Sequence, residues 1–221
     1  MNPKVTPDAA QFRCTGCGAC CSQVWVNVTH ADVRRVCAAT GLSALEVVQF
    51  AARKGVDEDE DEDDYVDEGW VPFGEDPDDT GLMVLKIDRT TGACRFLVDD
   101  RCSIYLHRPR VCRLYPWELG FNDAGEPEIQ LEVATEPCPW ERDGTLDVDD
   151  LMDQLEADND DREDYEALIA EWASLKPPDD PLAFIRFLGL PSGHSQAGQT
   201  PIQRKRSARK SRLRKFLRIL D

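Results

Sequence analysis

Residues 14–21 read CTGCGACC, with Cys14, Cys17, Cys20 and Cys21 set around Gly16 and Gly18. Four thiols in eight residues leave nothing large enough to bury as an ordinary strand or helix face. The stretch is therefore a staple, a ligand loop or a redox centre. The chain around it decides between these.

The chain has 221 residues and nine cysteines. That length suffices for one core with extensions. No apolar run is long enough to span a membrane. The first residues, MNPKVTPDAAQF, hold no apolar stretch of the secretory kind, so a reducing cytoplasm is the expected location. Disulfides rarely persist there, and clustered thiols then read as metal ligands or redox groups. Net charge is −17, unevenly spread: nine Lys/Arg lie between Arg204 and Arg218, with Asp221 the one acid of that tail. An acidic body with a basic tail would repel nucleic acid except at the tail. The tail places Leu213, Phe216, Leu217 and Leu220 at helical spacing, and its expected partner is a polyanion, an acidic partner or the chain's own acidic body.

Local signals give an α+β chain: a small irregular domain of short hairpins and short helices, organised by metal, followed by a helical extension. QVWVNV (23–28) alternates as a strand. Thr29 and Asp32 cap a helix that Gly41 stops, and Ser43 with Glu46 opens a second one running to Gly55. DEDEDEDD (57–64) is a solvated acidic run. Residues 81–102 read as strands with turns at Thr91-Gly92 and Asp99-Asp100, and WELGFNDAGEPEIQLEV (117–133) reads as a hairpin. Between them, Pro109 and Pro116 bracket one or two helical turns. DVDDLMDQLEAD and DREDYEALIAEWASL form two helices, the second with Tyr165, Leu168, Ile169 and Trp172 on one face, before a short helix in DPLAFIRFLGLP. The expected division is a metal-binding domain over 12–140, a helical extension over 147–190, and a linker with basic tail over 191–221.

Cys37 sits among Val33, Val36 and Ala38 and reads as a small buried apolar residue. The other cysteines form two groups, Cys14, Cys17, Cys20, Cys21 and Cys94, Cys102, Cys112, Cys138, neither with a histidine. All-thiolate sets suit zinc or iron–sulfur clusters. Cys14-x2-Cys17-x2-Cys20 repeats the first three ligands of a bacterial ferredoxin loop, whose cluster is completed by a remote Cys followed by Pro. Cys138-Pro139 is the Cys-Pro pair of this chain. That spacing groups Cys14, Cys17, Cys20 and Cys138 at one site and leaves Cys21, Cys94, Cys102 and Cys112 for another. Zinc holding loops together fits the same residues, so the metal stays open. Arg108 and Arg113, in RPxxCR around Cys112, would compensate the charge of a thiolate centre or pair with Asp99, Asp100 or Glu118. Tyr105 and Tyr115 read as core rings beside the site. His107 reads as a neighbour of the site rather than a ligand.

CTGCGACC, THADVRRV (29–36), GLSALEVVQF (41–50), GACRFLVDDRCSIYLHRPRVCRLYP (92–116) and Cys138 together resemble the YkgJ-type cysteine-cluster family, named for CxxCxxCC and described as zinc- or iron-chelating. The resemblance runs from about residue 12 to 140. It implies that Cys14, Cys17, Cys20, Cys21, Cys94, Cys102, Cys112 and Cys138 are the metal-site cysteines. Flagellin lysine N-methylase looks like a relative through the same pattern. It therefore implies, as an alternative to plain metal binding, a cluster-dependent redox or protein-lysine methyl-transfer enzyme. Against an enzyme, the chain carries no CxxxCxxC, no GxGxxG loop and no arguable Ser/His/Asp set.

Overall fold

A computed structural model describes residues 3–23, 25–52, 69–76, 79–132 and 138–193. The acidic run 57–64, most of the linker and the basic tail lie outside the described residues. In chain order the elements are β1 (Lys4–Val5), α1 (Pro7–Gln11), α2 (Ala19–Gln23), α3 (His30–Thr40), α4 (Ala44–Val47), β2 (Val48–Ala52), β3 (Trp70–Pro72), β4 (Thr80–Leu85), β5 (Leu97–Val98) and β6 (Arg101–Cys102). A 3-10 turn (Tyr105–His107), α5 (Arg110–Leu114), β7 (Trp117–Phe121), β8 (Pro127–Leu131), α6 (Val148–Ser174) and α7 (Pro181–Phe187) follow. The mixture of helices with small sheets is the expected α+β class. No described helix is long and apolar enough to cross a membrane. The described chain forms two compact units: one holds residues up to Trp25 and Ile87–Asn159, the other Val26–Lys86 and the chain from Asp160.

In the first unit β8 lies between β1, parallel to it, and β7, antiparallel. The β7–β8 turn is the expected one: the Asn122 carboxamide accepts from Ala124 and Glu126 N–H, and Gly125 takes a positive φ. The Thr6 hydroxyl caps α1, whose Pro7 needs no intrahelical partner at the first turn. Ala9, Leu114, Ile129 and Leu151 form the buried centre, with Trp117 and Leu146 packed against it. The Trp117 indole N–H satisfies the Ala9 carbonyl at 3.0 Å, and Phe12 meets the Trp117 ring edge-on at 5.2 Å. This core is small, and the cysteine-bearing loops lie beyond it.

In the second unit β4 is the central strand, flanked antiparallel by β2 and β3. Two expectations are corrected here. The helix opened by Ser43 and Glu46 lasts only Ala44–Val47, and VQFAA is strand β2, with Val48 opposite Leu85 and Ala52 opposite Gly81. The capping box stabilises one turn. The β-branched pair Val47-Val48 then fits a pleated ladder better than a helix, and β4 supplies that ladder. Conversely, the described residues 25–28 of QVWVNV form no strand: Asn27 makes an isolated bridge to Val84, with Val28 N–H donating to Met83 and Leu85 N–H to Val26. The two stretches read as helical between 147 and 175 run together as one 27-residue helix, Val148–Ser174, because no Gly or Pro separates them.

α3 is capped as its sequence indicates, with reciprocal Thr29–Asp32 bonds and Gly41 left-handed at φ 73°. Asp32 is buried and paired with Arg35, which also reaches Asp161 at 3.0 Å. Cys37 is buried on this helix, and burial pushes its thiol up to about 11, as for a residue kept for packing. Phe184 on α7 is fully buried among Phe50, Phe73, Tyr165 and Trp172. His30 stacks on Tyr165 with centroids 6.0 Å apart, and its Nδ1 has no partner.

Burial lowers the His30 pKa below its ordinary 6.5, reinforced by Arg34 and opposed by Asp161, Asp164 and Asp32. The folded state therefore refuses a proton that the unfolded chain accepts. Above pH 6.5 both states are neutral and His30 adds no pH dependence. As pH falls below that value the unfolded state gains and stability declines. Urea midpoints measured at pH 7.5, 6.5 and 5.5 should fall across the lower interval. His30→Gln should flatten that slope, and an unchanged slope in the variant would show that His30 does not carry it.

Candidate metal centre

The eight cysteines outside α3 all belong to the first unit. Four chain segments bring them in. The first is the CTGCGACC loop, which ends in α2 carrying Cys20 and Cys21. Gly16 and Gly18 both take positive φ, 70° and 75°, where a β-carbon is strained. At Gly18 there is also no room: a Cβ would lie 2.6 Å from Leu97 Cδ1 and 2.9 Å from the Asp100 carbonyl oxygen. The glycine lets the loop backbone rest on the β5–β6 hairpin. The Gly16 N–H donates to the Cys14 sulfur at 3.4 Å, a backbone bond of the kind that orients and stabilises a thiolate.

The second segment carries Cys94 and Cys102. Asp88 accepts from Thr90 and Thr91 N–H to form the turn, and Ile87 bridges to Cys94. The Cys94 N–H then donates to the Cys21 carbonyl at 2.7 Å. β5 and β6 pair Leu97 with Cys102 across a two-residue turn in which Asp99 and Asp100 both take positive φ. The third segment is α5, which carries Cys112. Arg113 shapes the approach to it by donating to the carbonyls of Arg108 (3.1 Å) and Leu106 (3.0 Å). The fourth carries Cys138. Arg13 and Glu141 exchange backbone hydrogen bonds of 2.9 and 3.1 Å, so the residue before Cys14 is tied to the chain just after Cys138. Arg13 also pairs with Asp143 at 2.7 Å.

These ties produce two thiol neighbourhoods. In one, the Cys21 thiol lies beside those of Cys20 and Cys102, and interaction with it is the first cause of the shift at each of them. Cys21 is the group that keeps its proton, so its pKa rises. Its two neighbours ionise more readily, Cys20 falling to about 7 and Cys102 to about 6. The Arg108 guanidinium pulls both down further. Cys94 and Cys112 are raised by burial first, then by the neighbouring thiolates. In the other, Cys138 is hydrogen-bonded to Cys17 and feels Cys14 and Cys20. Burial is the first cause that raises it to about 11. Cys20 thus borders both neighbourhoods.

Among the described residues, no three His, Cys, Asp or Glu side chains are already arranged to hold a metal ion. The sulfurs meet pairwise. The donor chemistry nonetheless fits a soft metal. The groups that meet are thiols, and the positive charges beside them, Arg108 and Arg95, offset thiolate charge.

Of the two arginines singled out by the sequence, Arg108 acts on Cys20, Cys102 and Cys112. Arg113 holds the loop through carbonyls. Tyr105 is a correction: it is 41% exposed and not a core ring, with Arg108 stacked over it at 4.1 Å. Tyr115 is half-buried at the end of α5, and His107 is exposed. Arg95 had no sequence signal beyond standing next to Cys94.

Alkylation requires the thiolate, so the order of labelling follows these shifts. In metal-free chain at pH 7, iodoacetamide should label Cys20 and Cys102 before Cys94 and Cys112. Arg108→Gln should slow Cys20 and Cys102, because their thiolates lose a positive neighbour. Equal rates at Cys102 and Cys112 would contradict this electrostatic picture.

Neither the curated proteins nor the solved structures contain a match to the chain. A sequence model of one family matches residues 13–139, and that family is described as "CxxCxxCC: Putative zinc- or iron-chelating domain". The match takes in every cysteine of both neighbourhoods and more than half of the sequence. The chain therefore belongs to the CxxCxxCC family.

Proposed function

We propose that this protein holds zinc or an iron–sulfur cluster through the eight family cysteines, in two thiolate centres. Cys14, Cys17, Cys20 and Cys138 are the ligands of one. Cys21, Cys94, Cys102 and Cys112 are the ligands of the other. The observation that carries the reading is the meeting of thiols from four separate segments, three of them influenced by one guanidinium, Arg108. Buried or half-buried thiols that repel one another as thiolates are costly without a cation between them. A bound metal supplies that charge, and in the iron–sulfur case a one-electron redox capacity. Arg108 offsets the remaining negative charge, and the Gly16 N–H orients the Cys14 sulfur. None of these observations supports the methyl-transfer alternative.

Metal bound by loops that a small core does not hold should contribute to folding itself. Anaerobically purified full chain should contain stoichiometric zinc, or iron with acid-labile sulfide and visible absorption. Cys102→Ser or Cys17→Ser should lose metal from its own centre and destabilise the chain by at least about 3 kcal/mol. Cys37→Ala should leave the metal content unchanged. Protein that carries no stoichiometric metal and keeps its urea midpoint in chelator would overturn the proposal.

A further inference from the structure

Beside the thiol neighbourhood, and inside the first unit, lies a cleft of about 410 Å³. Of its lining, Phe12 and Leu151 are buried and Trp117 is half-buried, while Tyr105, Leu106, Asp147 and Asp150 are exposed. Two different charges stand at its edge, from two different segments. The 3-10 turn and α5 contribute Arg108, whose guanidinium lies over Tyr105 and makes no ion pair among the described residues. The start of α6 contributes Asp147 and Asp150. Asp147 spends one carboxylate oxygen on the Asp150 N–H at 3.1 Å, and Asp150 accepts from the Gln154 amide. Among the described residues, the other oxygen of each carboxylate has no hydrogen-bond partner.

Apolar side chains set beside a few charged groups are what a small-molecule site needs, and this cleft combines both. The charges also select among ligands. A plain organic anion would gain Arg108 but meet two carboxylates. A plain amine would gain the carboxylates but meet Arg108 and Arg113, both of which line the cleft. A molecule with one charge of each sign on an apolar body gains both contacts and meets neither repulsion. We infer that this cleft binds a small zwitterion of the short-peptide type, its carboxylate on Arg108, its ammonium at Asp147 and Asp150, and its apolar side chains over Phe12 and Trp117. The inference shares Arg108 with the thiolate reading but needs no bound metal, since no lining group is a thiol.

Three probes with one body separate the charges: leucylleucine, N-acetyl-leucylleucine with only the carboxylate, and leucylleucine amide with only the ammonium. Each is titrated into anaerobically purified full chain and followed by two-dimensional NMR. The Trp117 indole N–H and the Leu106 amide report the cleft, and metal content is measured on the same sample. Leucylleucine should shift both reporters and bind at least about tenfold more tightly than either relative. Asp150→Asn should weaken leucylleucine and the amide but not the acetylated dipeptide, which no loss of folding would mimic. Equal affinity for the acetylated dipeptide would make this an anion site and overturn the inference. So would the absence of shifts at Trp117 and Leu106 up to about 10 mM leucylleucine, a concentration at which even weak site binding is visible.

Discussion

The hydrogen bond from the Cys94 N–H to the Cys21 carbonyl, 2.7 Å long, is the tie on which the cysteine region depends. The CTGCGACC loop has almost no regular structure of its own before α2. It is positioned by neighbours: the Cys94 tie, the contact of Gly18 with Leu97 and Asp100, and the Arg13–Glu141 bridge. Two of these hold it to the β5–β6 region and the third to the chain just after Cys138. The loop's eight residues thereby face two sets of remote thiols at once. A β-carbon at Gly18 would push the loop off the hairpin and pull Cys20 and Cys21 from Cys102.

Electrostatics adds a second constraint. Thiols that share protons and burial cannot all ionise together in a poorly solvated site. In the protein without metal, Cys21 keeps a proton between Cys20 and Cys102, and burial keeps Cys94 and Cys112 protonated. Metal binding would reverse this order by replacing the shared protons with a cation, so uptake should release protons. Arg108 lies where it lowers the cost of either arrangement. Its stacking on Tyr105 fixes the guanidinium without a carboxylate that would neutralise it.

Much of this was legible in the residues themselves. Capping signals placed α3, and turn residues placed the β5–β6 and β7–β8 hairpins, because those signals act within a few residues of where they stand. Local signals favour helix at 48–52, but the fate of this segment is set by pairing with β4, 29 to 37 residues away. The bond of Asn27 to β4 is equally non-local, and its alternating pattern did not make a strand. At the site, spacing singled out the cysteines and the RPxxCR arginines. It did not separate the two arginines: Arg113 finds the carbonyls of Leu106 and Arg108, and Arg108 faces thiols. Nor did any pattern mark Asp147 and Asp150 as more than a helix start.

The central claim is that metal in this protein is bound by sulfur alone. X-ray absorption at the edge of whichever metal copurifies anaerobically with the full chain measures the first shell directly. The account predicts sulfur neighbours only, at about 2.3 Å for zinc, with no nitrogen or oxygen shell. A shell of nitrogen or oxygen at about 2.0–2.2 Å, from His107 or from carboxylates, would contradict it.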